Sequence, residues 1–375
     1  MSEGRYRALL CLTQVAVEDP REPTGVRTIL IDGLDHRVDV RPLAELVADP
    51  AIEIVLHAGR QDVAILRRAW ATEPTNIFDT QIAAGFVGES VQAGYGNLIG
   101  AVLGLRVGKT ASYTRWDARP LTAEQLAYAA DDVAHLLALT DTLQQRLRAT
   151  GRLDWAREEC RRLEPATDER DPETVWERLP RVSQLDPQAR AVAKRLATWR
   201  ERRAAAEDRP VGQVLPDPPL LELARRHPRR ADAFSQIRGL HPSVIKRRGG
   251  ELLEVIAAGL DDPPIPRDAR RSSVDSGDSP MIALAEALLR ARALHAGLAY
   301  ELIATRSDLE QIIAAARQGA AEPDVRTLTG WRRELVGADL EALLSGRFAL
   351  AVGPGRRLEL RAVDGVPGGR GGVLR

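Results

Sequence analysis

Two stretches that can bury almost nothing divide this sequence and limit what it can fold into. Glu164-Pro165-Ala166-Thr167-Asp168-Glu169-Arg170-Asp171-Pro172 is polar and twice interrupted by proline, and residues 263–280 contain PPIP and SSVDSGDSP. Neither has the apolar periodicity of a helix or strand, so both read as linkers. At 375 residues the chain is too long for one ordinary core. Three domains are the simplest reading: 1–163, 174–262 and 281–362, with 263–280 as a linker and 363–375 as a disordered Gly-rich tail.

Lys plus Arg equal Asp plus Glu at 53 each, so no net field draws the whole molecule to a polyanion. Any anion-binding surface must come from local clustering. Arginine far outnumbers lysine and is the better fork for phosphate oxygens, although a GC-rich coding sequence produces the same bias. Cys11 and Cys160 match no metal-ligand spacing and read as free, buried thiols of a reducing compartment. No apolar run approaches membrane-spanning length, and the N-terminus has no secretory core. A cytoplasmic protein is expected.

The first domain begins with strands and continues with helices. ALLCLTQVAV at 8–17 and VRTILI at 26–31 flank a Pro- and Gly-containing turn and suggest a hairpin. Residues 42–47 suit a short helix, and EIVL at 53–56 a third strand running into His57-Ala58-Gly59-Arg60-Gln61-Asp62. Val63, Leu66 and Trp70 then share a helical face, Asp79 is placed to cap another helix, and an Ala/Leu-rich pattern over 122–147 predicts one long helix. This mixture indicates an α/β or α+β domain. The segments 174–260 and 281–362 are helix-rich, with LIAT and RFALAV as extended candidates in the latter.

Within the long helix, Tyr128 and Asp132 stand four apart and so share a face. A carboxylate there can hold Mg²⁺ or Mn²⁺, hard ions that prefer oxygen, and a phenol beside it can orient a water. With an ordinary pKa of about 10 the phenol positions rather than deprotonates. Taken alone, the pair also suits an ordinary amphipathic helix with exposed aspartates. Asp62, between a strand and a helix, is a second candidate, though it could be only a cap. His57, Arg60 and Gln61 stand near enough in sequence to contact phosphate or sugar. No Walker loop, nucleophile elbow or His-Glu-x-x-His is present.

HAGRQD at 57–62, FDTQIAA at 78–84, ARPLT at 118–122 and EQLAYAADDVAHL at 124–136 occur in that order. Together they resemble ribonuclease D, of the tyrosine-containing branch of the DEDD exonucleases, over Arg5 to about Leu163. The resemblance implies an α/β ribonuclease H-like 3′-5′ exonuclease domain, a mixed sheet with helices, followed by all-α HRDC bundles. It implies two divalent ions, Mg²⁺ or Mn²⁺, and release of 5′-mononucleotides from RNA 3′ ends, with tRNA precursors as the substrate class. Asp62 would help hold one ion near the leaving oxygen, Asp132 would hold the other, and Tyr128 would orient the attacking water. The family's first motif, Asp-x-Glu on an opening strand, should stand just before Met1. The Asp-x-Glu triplets present, at 171–173, 308–310 and 339–341, lie in a linker and two helical regions. A start codon placed too late at an internal methionine is the expected explanation, and a shortened, inactive chain the alternative. Loss of that strand would leave an unpaired edge or a hole in the sheet. No role is assigned to Gly108-Lys109 or Arg115-Trp116, where relatives often carry acidic residues.

Residues 186–262 resemble an HRDC domain, and 281–362 a second, more divergent one. Arg200, Arg202, Arg203, Lys246, Arg247 and Arg248 could form a phosphate-facing patch, or simply a solvated basic face. Ile237-Arg238-Gly239-Leu240 resembles a helix–turn–helix connection. Such modules would contribute phosphate contacts to RNA rather than sequence readout. Two other readings stay open: a non-catalytic RNA-binding protein, and a DNA 3′-5′ exonuclease, which the lack of helicase motifs weakens. No membrane or obligate protein partner is implied.

Overall fold

The computed structural model describes residues 4–106, 115–266 and 276–363. Lys109, the middle of the 263–280 linker and the tail beyond Val363 lie outside the described residues.

The opening hairpin forms as expected. Strands β1 (Leu12–Glu18) and β2 (Val26–Asp32) pair antiparallel, Leu12 opposite Asp32 and Glu18 opposite Val26. Helix α1 (Arg41–Ala48) leads to β3 (Ile54–Leu56), α2 (Arg60–Trp70), β4 (Ile77–Asp79), α3 (Thr80–Gly85) and α4 (Tyr95–Leu103). β3 and β4 pair parallel, as their helical crossover through α2 requires. Strand β4, three residues long, shows no period, and the two glycines inside α4 obscure its pattern, so neither is legible in the sequence.

The pattern over 122–147 predicts one helix; the structure has two, α5 (Ala123–Ala134) and α6 (Leu136–Ala149). The break falls at His135, whose backbone turns non-helical (φ −107°, ψ 3°) and whose N–H donates to the Tyr95 hydroxyl at 3.3 Å. A capping box between Thr122 and Gln125 starts α5. Helix α7 (Leu153–Arg161) completes this region.

Helix α6 packs on both β1 and β3, α5 on β1 and β2, and α7 on β4. β1 and β3 are therefore the inner strands beneath a common helix layer. No ladder joins them among the described residues, so the sheet stays as two pairs rather than one.

The middle segment has its own core. α8 (Pro187–Ala206), α9 (Val211–Val214), α10 (Asp217–Arg226) and α11 (Pro242–Asp261) enclose Leu196, Leu215, Leu220, Leu223, Phe234 and Leu252, all fully buried. Helices α8 and α11 touch at Gly259, where a Cβ would lie 2.7 Å from the Val192 Cα, so the contact requires glycine.

The last segment comprises α12 (Ser279–Ala296), α13 (Tyr300–Ile303), α14 (Arg306–Gln318), α15 (Gly330–Arg332), a π-helical turn over 333–337, and α16 (Ala338–Leu344). It ends in an antiparallel hairpin of β5 (Phe348–Val352) and β6 (Leu358–Ala362). RFALAV is strand as expected. LIAT is not: its Leu302 and Ile303 end α13, buried against the core rather than paired in a ladder.

Residues of this segment do not enclose a core separately. Leu288, Ile303, Leu309 and Trp331 join Phe78, Phe86, Leu98, Leu139 and Leu143 in one apolar cluster. Trp331 stacks on Trp155 with ring centroids 5.3 Å apart and meets the Phe86 edge at 5.0 Å. Beside them the fully buried Arg332 pairs with Glu159 and donates to the Leu302 carbonyl at 2.6 Å. Among the described residues no helix is long and apolar enough to cross a membrane.

Candidate active site

Asp62 stands in the first turn of α2, three residues after Gly59, which caps the helix. Asp79, at the end of β4, determines how that turn is presented. Its buried carboxylate accepts from the Gly59 N–H (2.8 Å) and Ala58 N–H (3.2 Å), and also from Gln81 (2.8 Å) and Ile82 (3.3 Å) at the start of α3. One carboxylate thus satisfies main-chain donors at the starts of two helices. Behind it the Asp79 N–H donates to the buried Cys160 thiol at 3.2 Å. Sequence reasoning identifies Asp79 only as the cap of α3. The bonds to Ala58 and Gly59 span about twenty residues and leave no local signature.

Asp62 keeps solvent access, yet the surrounding protein and then the Asp79 charge raise its pKa. Arg60 and Gln61, expected near phosphate or sugar, are exposed in the same helical turn. His57 is not presented in that way. Its Nδ1 lies 3.0 Å from Thr80 Oγ1, and burial lowers its pKa, so it braces the strand end as a neutral ring.

On α5, Tyr128 and Asp132 share a face as their spacing predicts. The Asp132 charge is the main cause of the raised Tyr128 pKa. Asp132 itself is pushed up to about 6, by burial and then by the neighbouring Asp131. Tyr95, which sequence reasoning misses, connects the two halves. Its ring lies 5.5 Å from that of His57, its hydroxyl accepts from His135 at the end of α5, and its pKa is pushed up to about 12 by burial, with Asp132 and Asp131 contributing. In a chain with so few aromatic residues, Gly94-Tyr95-Gly96 was the available signal. Trp116 stands 6.2 Å from Tyr128, ring to ring. Its loop is fixed to the hairpin by Arg119, which pairs with Asp32 through two nitrogens.

About half of the described acidic residues pair with arginine; Asp62 and Asp132 do not, and no arginine or lysine lowers the pKa of either. Oxygen donors left with uncompensated charge suit a hard divalent cation. Among the described residues no three carboxylate, histidine or cysteine side chains converge on one cation position. The donors fit in kind, and these two would hold part of a larger ligand set.

The expected basic patch on the middle segment is corrected in part. Arg200 is buried and spent on Asp217 and the Leu215 carbonyl. Arg248 is buried against Glu207 and the Trp199 face, and Arg203 is taken by Glu251. These arginines fasten α8, α10 and α11 together. Arg202 pairs with Glu173, whereas Lys246 and Arg247 are exposed.

A mixed α/β domain with carboxylates at the start of α2 and on α5, followed by a small helical bundle, defines a modular 3′-5′ exonuclease. The 3′-5′ exonuclease family matches residues 2–148 and the HRDC domain family residues 189–256. The chain is 36% identical to the ribonuclease D of Gluconacetobacter diazotrophicus over 355 residues, 93% of this chain and 87% of that protein. It is 36% identical to that of Granulibacter bethesdensis over 366 residues, 96% of this chain and 89% of the relative. Among solved structures, Escherichia coli RNase D, an exoribonuclease involved in structured RNA processing, superposes with a TM-score of 0.80 at 28% identity, covering 92% of this chain and 91% of that one. The chain belongs to the ribonuclease D family, a family of metal-dependent 3′-5′ exoribonucleases.

Proposed function

We propose that this chain trims structured RNA from the 3′ end, tRNA precursors included, releasing 5′-mononucleotides, with Asp62 and Asp132 holding Mg²⁺ or Mn²⁺. The observation that carries the reading is the pair of uncompensated carboxylates, with Tyr128 beside the one on α5. When bound, divalent ions would supply an activated water and offset the charge that gathers on the phosphate during in-line attack. The chain's own residues do the rest. Tyr128, kept protonated by the Asp132 charge, offers a hydroxyl that aligns the water but does not take its proton. Asp79 fixes the turn that presents Asp62, and Arg60 and Gln61 lie exposed beside it for the terminal nucleotide.

A second reading, RNA binding without catalysis, is favoured by one observation: the described residues bring no three metal donors together. In the catalytic reading, a strand lying between β1 and β3 would supply the remaining carboxylates. Both readings meet in one experiment. Mn²⁺-dependent release of mononucleotides is measured from a 3′-extended tRNA and from DNA, for this chain, an N-terminally extended form and its Asp132→Ala variant. Release from RNA by the extended form, abolished in Asp132→Ala, is the expected result. An inert extended form overturns the enzyme reading, and preference for DNA overturns the substrate.

A further inference from the structure

Residues 79–95 run from one half of the site to the other. The stretch begins at Asp79, whose carboxylate caps α3 and also holds the Ala58 and Gly59 N–H groups, and so the turn that presents Asp62. It ends at Tyr95, which meets the His57 ring and the His135 N–H at the end of α5. Gln81 Nε2 donates to the Ala93 carbonyl at 3.1 Å and closes the stretch into a loop. Its one helix, α3, is six residues long. A helix this short is not stable by its own hydrogen bonds, so what packs on it decides how firmly Asp79 stands.

Much of that packing comes from the last segment, more than two hundred residues away in sequence. The Ala299 N–H donates to the Gly85 carbonyl at 3.1 Å, at the C-terminal end of α3. A Cβ at Gly85 would lie 2.8 Å from Leu302 Cδ1, so Leu302 sits directly on that end of the helix. Beyond it, Phe86 meets the Trp331 edge, and a Cβ at Gly88 would lie 3.3 Å from the Gly297 carbonyl oxygen. Arg152 donates to the Phe86 carbonyl at 3.1 Å and to the Ala296 carbonyl, which ties the two stretches together. A second grip reaches Asp79 from behind. Arg332 pairs with Glu159 on α7, and the next residue, Cys160, accepts the Asp79 N–H at 3.2 Å. Both routes start in the last segment and end on Asp79.

We propose that the last segment is a positioning part of the active site: Leu302 and the Ala299 main chain, seated on the end of α3, hold Asp79 and with it the turn that presents Asp62. Leu302 is a positioning residue, because it acts through Asp79 rather than on substrate. The inference rests on the reading of Asp62 as a metal ligand. Groups that orient a ligand without touching the ion set how closely it keeps the geometry the ion needs.

The test uses the full chain in EDTA and follows hydrogen–deuterium exchange of the Ala58 and Gly59 amides, which donate to Asp79. Leu302→Ala should speed their exchange at least about tenfold, and leave α8 and α11, which enclose a separate core, at the parent's rates. Ala299→Pro is the milder change: the Ala299 φ of −68° admits proline, and only the N–H that reaches Gly85 is lost. It should give a smaller rise at the same two amides. Leu340→Ala is the control, a leucine fully buried in the same cluster but on α16, which packs on α12 and β5. It should leave Ala58 and Gly59 unchanged. Parent rates there in both Leu302→Ala and Ala299→Pro overturn the proposal. Equal acceleration by Leu340→Ala also overturns it, since the core would then be loosening as a whole. In the N-terminally extended form, Leu302→Ala should raise the Mn²⁺ concentration for half-maximal release at least about fivefold, with KM for the RNA unchanged. A change in KM alone would place the last segment on substrate and overturn the route through Asp79. Failure of the nuclease reading would appear instead as an extended form that releases nothing, and would leave the exchange result standing.

Discussion

At the scale of single residues, the site is held at the expense of stability. Asp132 is a carboxylate whose folded pKa is raised to about 6. Its folded form holds a proton more tightly than the unfolded chain does, so stability falls as pH rises from the usual carboxylate range through 6 and stays reduced above it. Asp132→Asn removes that cost. It should gain about 1–2 kcal/mol at pH 8, after allowing for solvent screening, and nothing at pH 4. Thermal denaturation in EDTA at both pH values measures this, and equal effects at the two would refute it. In the N-terminally extended form, Mn²⁺ in place of EDTA should stabilise the parent and leave its Asp132→Asn variant unmoved. Asp79 acts in the opposite sense. Asp79→Ala strands the main-chain donors at the starts of α2 and α3, and should cost at least about 3 kcal/mol in urea unfolding. A loss below about 1 kcal/mol would mean that water replaces the carboxylate.

At the scale of elements, local patterning is legible where an element makes its own case. The hairpin, α2 and the Tyr128–Asp132 face follow from alternation, apolar spacing and a four-residue offset. The break at His135 does not, because it depends on Tyr95 reaching in from another helix. Arg200 misleads for a similar reason. An arginine on a polar helix reads as solvated until Asp217 and the Leu215 carbonyl arrive from α10 and the turn before it. The α15–α7 contact is the most consequential of these distant pairings. Arg332 is buried against Glu159 and lies over the Trp331 ring, which stacks on Trp155. Arg332→Ala would leave Glu159 buried without its cation, costing about 3–5 kcal/mol. Arg332→Met with Glu159→Leu should recover most of that loss in the same denaturation assay. A double variant as weak as Arg332→Ala would show that packing, not charge, holds the contact.

At the scale of the whole molecule, two large apolar cores and a small third one around Val63, Ile77, Leu163 and Ala166 organise three sequence segments among the described residues. The middle segment encloses its own cluster, while the last shares one with α3, α4 and α6. A fragment of residues 170–266 should therefore fold alone, with cooperative melting and protease resistance. A fragment ending at residue 266 should not keep a native nuclease region, since it exposes Phe86, Leu98 and Leu139 where the last segment covers them. Proteolysis of both fragments checks this. A stable chain of residues 1–266 would show that the shared core is dispensable.

The sequence by itself determined the strand-then-helix order, the place of Asp62 at the start of α2 and the shared face of Tyr128 and Asp132, because periodicity and short motifs are local properties of a chain. Only the tertiary structure decided that Asp79 and Tyr95 arrange those residues. It also decided which arginines are spent on internal ion pairs, and that the last segment completes the first one's core. Each of these depends on partners distant in sequence, and burial, which sets both pairing and pKa, exists only once they meet.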